Sequence, residues 1–133
     1  RELEIALALD EDTHGAEHPL VVVTLANLAD ETLARVFPDY PHIPGYRDGH
    51  IMLAPAMSYP SNPLGIYDLG GNVWEWLEDS YAGDLQPVRA LRGGGYLLSS
   101  PSWGLSSHRT GRNGRTHRDV ATGFRVVVEL PAR

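Results

Sequence analysis

The residues best suited to molecular recognition are concentrated near the C-terminal end of the chain, between Gly93 and Phe124. This tract mixes hydroxyl side chains, aromatic rings and guanidinium groups, and it contains few aliphatic residues. Hydroxyls form adaptable hydrogen bonds, aromatic rings supply rigid contact area, and arginine offers a fork of donors. The mixture is typical of a surface that binds a protein or a glycan. The residues expected to contact such a ligand are Tyr96, Leu98, Ser99, Ser100, Ser102, Trp103, His108, Arg112, Asn113, Arg115, His117 and Asp119.

Enzyme signatures are sparse by comparison. His108, Asp119 and several serines are the residue types of a hydrolytic triad, but this combination arises easily by chance. The chain contains no Gly-x-Ser-x-Gly elbow, no Gly-Lys-Ser/Thr phosphate loop and no His-Glu-x-x-His pair. It also contains no cysteine, which excludes a thiol nucleophile, a thiolate metal site and a disulfide.

The length and charge of the chain limit the remaining possibilities. The 133 residues carry a net charge of −6, and a chain of this length is expected to form one domain, residues 1–133. Overall acidity argues against a nucleic-acid binder. The basic residues are all arginine, and most of them lie between Val88 and Arg125, a segment that could attract anions locally. We find no membrane span and no signal peptide, and we interpret the start at Arg1 as a fragment or a processed piece.

The binding tract must be positioned by a more regular part of the chain, for which residues 62–77 are the best candidate. Asn62-Pro63 and Gly70-Gly71-Asn72 predict two tight bends. Residues 73–77 predict a strand that carries Trp74 and Trp76 on one face. Periodicity also predicts a short helix over 2–9 and a buried run over 20–24. The expected core includes Ile66, Tyr67, Val73, Trp74, Trp76, Leu91, Phe124, Val126 and Val128.

Three blocks of this sequence, taken in order, resemble those of the formylglycine-generating enzyme and sulfatase-modifying factor family. Residues 62–76 are similar to the family segment Asn-x-x-Gly-Leu-Tyr-Asp-Met-x-Gly-Asn-Val-Trp-Glu-Trp, residues 88–96 to Arg-Val-x-Arg-Gly-Gly-Ser-Trp, and residues 123–125 to Gly-Phe-Arg. The resemblance covers essentially the whole chain. It implies an α+β, C-type-lectin-like fold with short strands, one or two helices and much irregular loop. Because the family's Leu-Pro-Thr helix start is absent, the chain is expected to begin inside the family domain.

The resemblance also implies two calcium sites, since Ca²⁺ binds roughly six to eight oxygen atoms that irregular backbone can supply. The first set consists of the side chains of Asn27 and Asp48 with the carbonyl groups of Leu28 and His50. The second set consists of the side chains of Asp68 and Glu75 with the carbonyl groups of Gly71 and Val73.

The second calcium set is favoured because its members lie within the most specific motif. The residues also allow an alternative without a metal, in which Asp68 caps the turn at Gly70-Gly71 and Glu75 pairs with Arg92 or Arg125.

Formylglycine generation depends in this family on two cysteines shortly after the Gly-Gly-Ser block, because thiolates bind copper and attack the substrate disulfide. The matching positions are Leu98 and Trp103. Neither side chain can perform that chemistry, so this activity is not expected.

A non-catalytic binding domain is therefore the favoured function, and its finer form is the variable protein of a diversity-generating retroelement. Such elements alter codons without producing Glu, Gln, Lys, Met or Trp. The tract from Gly93 to Phe124 lacks Glu, Gln, Lys and Met, whereas composition would place roughly three or four there. The simpler interpretation is an ordinary family loop in which Arg109 and Arg118 make internal hydrogen bonds. Two further alternatives are the substrate-pocket half of an iron-dependent sulfoxide synthase and a pseudoenzyme adaptor or kinase-associated domain.

Overall fold

A computed structural model describes residues 26–62, 64–81, 88–104, 108–126 and 128. The helix predicted over 2–9 and the buried run predicted over 20–24 lie outside the described residues. The described elements are helix α1 (Glu31–Ala34), strand β1 (Trp74–Ser80), strand β2 (Val88–Arg92), a 3-10 helix (Pro101–Gly104), strand β3 (Thr110–Asn113) and strand β4 (Thr122–Phe124). In this part of the chain, strands predominate over helices.

The four strands form one sheet in the order β3-β2-β1-β4. Strand β1 is central and pairs antiparallel with β2, with Trp76 opposite Leu91. On its other side β1 pairs parallel with β4, with Trp74 opposite Thr122. Strand β3 completes the sheet by antiparallel pairing with β2. The strand predicted over residues 73–77 is therefore present, and it extends to Ser80.

Helix α1 begins at a buried N-cap. The carboxylate of Asp30 accepts hydrogen bonds from the backbone N–H groups of Thr32 at 2.7 Å and Leu33 at 3.1 Å. These bonds satisfy donors that have no partner within the helix, which is the function of an aspartate at this position. Asp30 is fully buried, so this cap also fixes the loop before α1 against the rest of the fold.

The tight bend before β1 brings two distant segments together. Gly71 has φ +72° and Asn72 has φ +63°, which agrees with the predicted turn chemistry. The N–H of Asn72 donates to the carbonyl of Asn27 at 2.8 Å, and Asn27 and Gly71 form an isolated parallel bridge. The approach is so close that a Cβ on Gly71 would lie 2.7 Å from the backbone nitrogen of Asn27.

The core differs from the expected one. Leu91 is buried as predicted, but Phe124, Val126 and Val128 are exposed by 73–76%, so their assignment to the core was wrong. Phe124 belongs to β4, which is an edge strand, and alternation along an edge strand does not determine what covers its outer side. Ile66, also predicted to be buried, is 37% exposed. The buried hydrophobic residues are Ala26, Leu28, Ala29, Leu33, Ile43, Ala54, Ala90, Leu91, Tyr96, Leu98 and Ala121.

The two indoles of β1 are half-buried. Trp74 packs against the cluster of Ala26, Leu28, Ile43 and Leu98. Its ring also lies 5.8 Å from that of His108, and the ring of Trp76 lies 5.8 Å from that of His117. Each indole therefore contacts a histidine of the C-terminal tract, and the central strand supports that tract.

Candidate functional site

A cavity of about 370 Å³ lies between β1, β3 and the segment that follows β2. Its volume falls within the range typical of small-molecule sites. The described lining residues are Trp74, Tyr81, Gly95, Leu97, Leu98, Trp103, His108, Arg109, Thr110, Arg112 and Ala121. We refer to it as the first cavity.

Leu98 and Trp103, the positions that match the family's cysteines, both line the first cavity. Leu98 is 4% exposed and packs with Ala26, Leu28 and Ile43. Trp103 belongs to the 3-10 helix and is 54% exposed. The two positions thus converge on one cavity, but a hydrocarbon and an indole occupy it where thiols would be required.

Three aromatic side chains form a stack at the first cavity. The ring of His108 lies 6.3 Å from that of Trp103 with an interplanar angle of 18°. It lies 5.8 Å from the ring of Trp74 with an angle of 52°. These separations are within the range of favourable aromatic contacts. The stack connects the exposed indole to the central strand of the sheet.

Two guanidinium groups beside this stack are held in place by neighbouring residues. The guanidinium carbon of Arg109 lies 5.4 Å from the ring centroid of Tyr81, a cation–π geometry. Tyr81 can approach β3 because residue 111 is glycine: a Cβ there would lie 2.5 Å from the Tyr81 ring. Arg112 donates through Nη1 to the Thr110 hydroxyl at 3.1 Å and to the Gly111 carbonyl at 2.9 Å.

A second cavity of about 280 Å³ shares Trp74, Leu97, Thr110, Arg112 and Ala121 with the first. Its other described lining residues are Leu91, His117, Asp119, Val120 and Thr122. This cavity contains a carboxylate, unlike the described lining of the first.

His117 and Asp119 form an ion pair in the second cavity, with Nε2 and Oδ2 separated by 2.5 Å. Partial burial favours the neutral acid, but hydrogen bonds from the Ala121 N–H and Thr122 and the nearby His117 outweigh it, and the pKa of Asp119 is lowered. Asp119 pairs with His117, so among the described residues the combination of His108 and Asp119 with a serine is not assembled as a triad.

The pKa of Asp119 makes a testable contribution to stability. A carboxyl group whose pKa is lowered by folding stabilises the native state above its ordinary pKa of about 3.9, and this contribution is lost as the pH falls through the folded value. We expect Asp119→Asn to reduce the acid-induced loss of unfolding free energy by less than about 1 kcal/mol, since the side chain is 39% exposed. Urea unfolding at pH 6 and at about pH 3 measures the effect. Asp39→Asn, at an exposed position, is the control, and equal acid slopes in the two variants would contradict this role.

The predicted ligand-binding residues other than Tyr96 divide into two groups. Leu98, Trp103, His108, Arg112, His117 and Asp119 line one or both cavities. Ser99, Ser100, Ser102, Asn113 and Arg115 line neither cavity among the described lining residues. Tyr96 and Leu98 are each 4% exposed, and Leu98 nevertheless belongs to the lining of the first cavity. The N–H of Tyr96 donates to the carbonyl of Asn72 at 2.9 Å, which draws this part of the loop toward the fold interior.

Sequence reasoning did not include Trp74, Tyr81 or Arg109 among the residues expected to contact a ligand. Trp74 was interpreted as core, and Arg109 was interpreted as part of a segment that could attract anions or, alternatively, as an internal hydrogen-bonding residue. The contact between Arg109 and Tyr81 depends on the glycine at position 111 and on strand pairing. No local pattern in the sequence reports such a contact.

The first predicted calcium set is brought together by the fold. The carboxylate of Asp48 accepts hydrogen bonds from the N–H groups of Leu28 at 2.9 Å and His50 at 2.7 Å. The side-chain amide of Asn27 donates to the carbonyl of Met52 at 2.7 Å and to Asn72 Oδ1 at 3.0 Å. This orientation leaves the buried Oδ1 of Asn27 without a hydrogen-bond partner. A buried oxygen without a hydrogen-bond partner lowers the stability of the fold unless another group or ion coordinates it.

The electrostatics at the first set also suit a cation. Burial raises the pKa of Asp48, and the neighbouring carboxylate of Asp30 adds to the effect, although hydrogen bonds from His50 and Leu28 oppose it. Burial and the same carboxylates raise the pKa of Tyr46 to about 12. The residues present therefore fit a hard cation at Asn27 and Asp48.

In the second predicted calcium set, an arginine side chain pairs with the carboxylate of Glu75. Arg125 donates to both carboxylate oxygens of Glu75, at 2.6 and 3.0 Å, and also to the carbonyl of Asp68 at 3.1 Å. Glu75 raises the pKa of Arg125, and burial opposes this shift only partly. The pairing of Glu75 with Arg125, one of the two alternatives without a metal, is thus present. A guanidinium already neutralises this carboxylate, so Glu75 is less available to a cation than Asp48 is.

Asp68 does not cap the turn at Gly70-Gly71 in the way that the sequence suggested. Its Oδ2 accepts a hydrogen bond from the N–H of Met57 at 2.6 Å, while Oδ1 is buried without a hydrogen-bond partner. Asp68 itself has φ +54°. It therefore connects the bend to the preceding loop around Met57.

No helix in the described ranges combines the length and the apolar character needed to cross a bilayer.

Comparison with known proteins places these features in context. The family model for the sulfatase-modifying factor enzyme 1-like domain matches residues 4–130. The chain is 38% identical over 72 residues to the formylglycine-generating enzyme of Streptomyces coelicolor, which covers 44% of this chain and 23% of that protein. It is 40% identical over 86 residues to the inactive C-alpha-formylglycine-generating enzyme 2 of Mus musculus, which covers 60% of this chain and 27% of that protein.

A solved structure with a similar fold is that of PvdO from Pseudomonas aeruginosa. The superposition has a TM-score of 0.60 at 20% sequence identity and covers 92% of this chain and 49% of that one. The chain thus spans about a quarter of the length of these two curated relatives and about half of the solved structure. One of these curated relatives is named an enzyme and the other is named inactive. Similarity alone therefore does not decide whether this chain is catalytically active, and the residues that line the cavity have to be considered.

Proposed function

Because the chain belongs to the family of sulfatase-modifying factor enzyme 1-like domains, we propose that it is a non-catalytic member that binds a ligand in the first cavity. The observation that carries the proposal is that Leu98 and Trp103 both line this cavity. The resemblance places thiols at these two positions in the enzymes of the family. Leucine and tryptophan can neither ligate copper nor attack a disulfide, but they provide apolar surface for a ligand.

The absence of oxidation chemistry is the first testable part of this proposal. When the protein is incubated with a cysteine-containing peptide, copper and oxygen, we expect no conversion of the cysteine, because the chain supplies no thiolate. Mass spectrometry of the peptide measures the outcome, and a formylglycine-generating enzyme assayed in parallel is the positive control. Conversion of the peptide by this protein would overturn the proposal.

Binding is the second part, and NMR locates it. We expect ligands from a mixed set of peptides, sugars and small aromatic compounds to shift the indole N–H resonance of Trp103, which the variant Trp103→Phe identifies by its loss. Trp76, which lies outside the described lining of the first cavity, provides the reference indole. Shifts that map to Trp76 and spare Trp103 would contradict a site in the first cavity.

A structural calcium ion at Asn27, Leu28, Asp48 and His50 completes the proposal. It is supported by the unpartnered Oδ1 of Asn27 and by the half-buried carboxylate of Asp48. The ion would supply charge neutralisation at Asp48, and the chain's own residues would then hold the loop at Asn27 to the loop at Asp48. The position of the ion favours a role in stability, since neither Asn27 nor Asp48 is among the described lining of the cavities.

The finer description of the fold is a C-type-lectin-like domain. Short strands, a single four-residue α-helix in the described ranges and long irregular connections support it, as does the similarity in fold to PvdO. A crystal structure of the full-length protein tests it directly.

The finer description of the ligand surface is that residues 97–121 form the diversified face of a retroelement variable protein. It is supported by the composition of the tract and by the exposure of Ser102, Arg112, Arg115 and Asp119. A reverse transcriptase and a template repeat in the flanking DNA would support this version, and copies with an unchanged tract would remove it.

Metal analysis discriminates the sulfoxide-synthase alternative, which requires iron, from a binder or adaptor that contains only calcium.

A further inference from the structure

The charge of the first cavity is unusual for an acidic protein. The chain carries a net charge of −6, yet the described lining includes Arg109 and Arg112 and neither aspartate nor glutamate. Within the described residues, no carboxylate lies at ion-pair distance from either guanidinium. Guanidinium groups recognise carboxylate and phosphate through paired hydrogen bonds. The cavity is therefore suited to an anionic group.

The guanidinium groups are also held in place before a ligand arrives. Arg109 lies on the ring of Tyr81, and Nη1 of Arg112 is bonded to Thr110 and Gly111. Side chains that are already ordered lose less entropy on binding, so more of their interaction energy appears as affinity.

The same cavity offers a flat apolar surface. Trp103 is 54% exposed although one of its neighbours, His108, stacks on it at a ring separation of 6.3 Å. The exposed part of an indole ring stacks favourably on another planar ring. His108 and Trp74 connect Trp103 to β1, which gives this surface a fixed support.

Building on the proposed function, we infer that the first cavity binds a small anion that carries a planar ring, with the ring on Trp103 and the carboxylate or phosphate at Arg109 and Arg112. The volume of about 370 Å³ admits a compound of this size. The cations specify the charge of the ligand, and the aromatic stack specifies its flat shape. Neither group alone would account for both features of the cavity.

Three probes separate the two halves of this inference: phenyl phosphate, inorganic phosphate and benzyl alcohol. Phenyl phosphate carries the ring and the anion together, and each of the other two carries one half. We expect phenyl phosphate to bind at least about tenfold more tightly than either partial probe, which corresponds to about 1.4 kcal/mol. Titration calorimetry gives the dissociation constants, and the indole N–H of Trp103 reports the location.

Variants assign each half of the ligand to its partner. Arg109→Gln should weaken phenyl phosphate binding at least fivefold and leave benzyl alcohol binding unchanged. Trp103→Ala should weaken phenyl phosphate and benzyl alcohol and leave inorganic phosphate unchanged. Both residues are exposed, so folding should persist, and circular dichroism verifies it. Arg35→Gln removes the same charge from an exposed position outside the described cavity linings and should have no effect.

The outcomes separate this inference from the proposed function. If phenyl phosphate binds no better than benzyl alcohol, or if Arg109→Gln and Arg35→Gln behave alike, the assignment of an anionic ligand is overturned. The proposed function still stands in that case, provided that a ligand shifts Trp103 and that the cysteine peptide remains unconverted. Conversion of the peptide would overturn the proposed function whatever the probes show.

Discussion

Replacing Gly71 with alanine is expected to lower the free energy of unfolding by about 2 to 5 kcal/mol. Gly71 has φ +72°, a conformation that costs an L-residue about 1–2 kcal/mol. In addition, the new Cβ would meet the backbone of Asn27 and lie 2.9 Å from the Cβ of Ala26, and forced overpacking costs about 1–3 kcal/mol. The backbone of Asn27 cannot easily move away, because its carbonyl accepts the hydrogen bond from Asn72. Urea unfolding measures the change.

The matched control for Gly71→Ala is Gly65→Ala. Gly65 has φ +75°, almost the same as Gly71, but a Cβ there would meet nothing within 4 Å. We therefore expect Gly65→Ala to lower the free energy of unfolding only by the conformational cost of about 1–2 kcal/mol. Equal losses in the two variants would show that the contact between the bend and Asn27 adds nothing to the cost.

Calcium is expected to raise the midpoint of thermal unfolding of the wild-type protein by roughly 5–15 °C when it is present at about 100 times its dissociation constant. This expectation rests on the proposed site at Asn27 and Asp48. Asp48→Asn should abolish the response, because it removes the charge that would bind the ion. Differential scanning calorimetry with calcium and with a chelator measures it.

Asp68→Asn is the control for the calcium experiment. It alters the second predicted set, where Arg125 already pairs with Glu75, so we expect this variant to keep the calcium response. If calcium no longer stabilises Asp68→Asn but still stabilises Asp48→Asn, the ranking of the two sets would be reversed. No response in the wild-type protein would remove calcium from the proposal.

The parts of the fold that the sequence predicted are those with a short-range signal. Trp74 and Trp76 are two residues apart, which fixes them on one face of a strand, and both contact histidines of the C-terminal tract. The turn residues Gly71 and Asn72 have the positive φ values that their types suggested. The pair of Glu75 and Arg125 was named as one of two alternatives, since complementary charge limits the partners but does not choose between them.

The parts that the sequence did not predict depend on long-range packing. Alanines such as Ala29, Ala90 and Ala121 are buried, but alanine occurs in many environments and carries no periodic signal. Phe124 and Val126 have the apolar character of core residues and are nevertheless exposed. Phe124 lies on β4, an edge strand that lacks a neighbour on one side.

The candidate site was predicted only in part, because it also depends on long-range packing. The composition of the tract after Gly93 indicated a binding surface, and several of its residues line the cavities. Composition does not report the direction of individual side chains in irregular backbone, so it did not predict that Tyr96 and Leu98 are buried. The involvement of Arg109 and Tyr81 depended on strand pairing, which no short segment encodes.

The parallel pairing of β1 with β4 has a consequence for biosynthesis. Trp74, Glu75 and Trp76 pair with Thr122, Gly123 and Phe124, which leave the ribosome much later. Until then one edge of the central strand has unsatisfied hydrogen-bonding groups, and nascent chains in this state are prone to associate. We therefore expect polypeptides stalled during translation before Thr122 to depend on chaperones, and release of the last strand to be the event that ends this dependence.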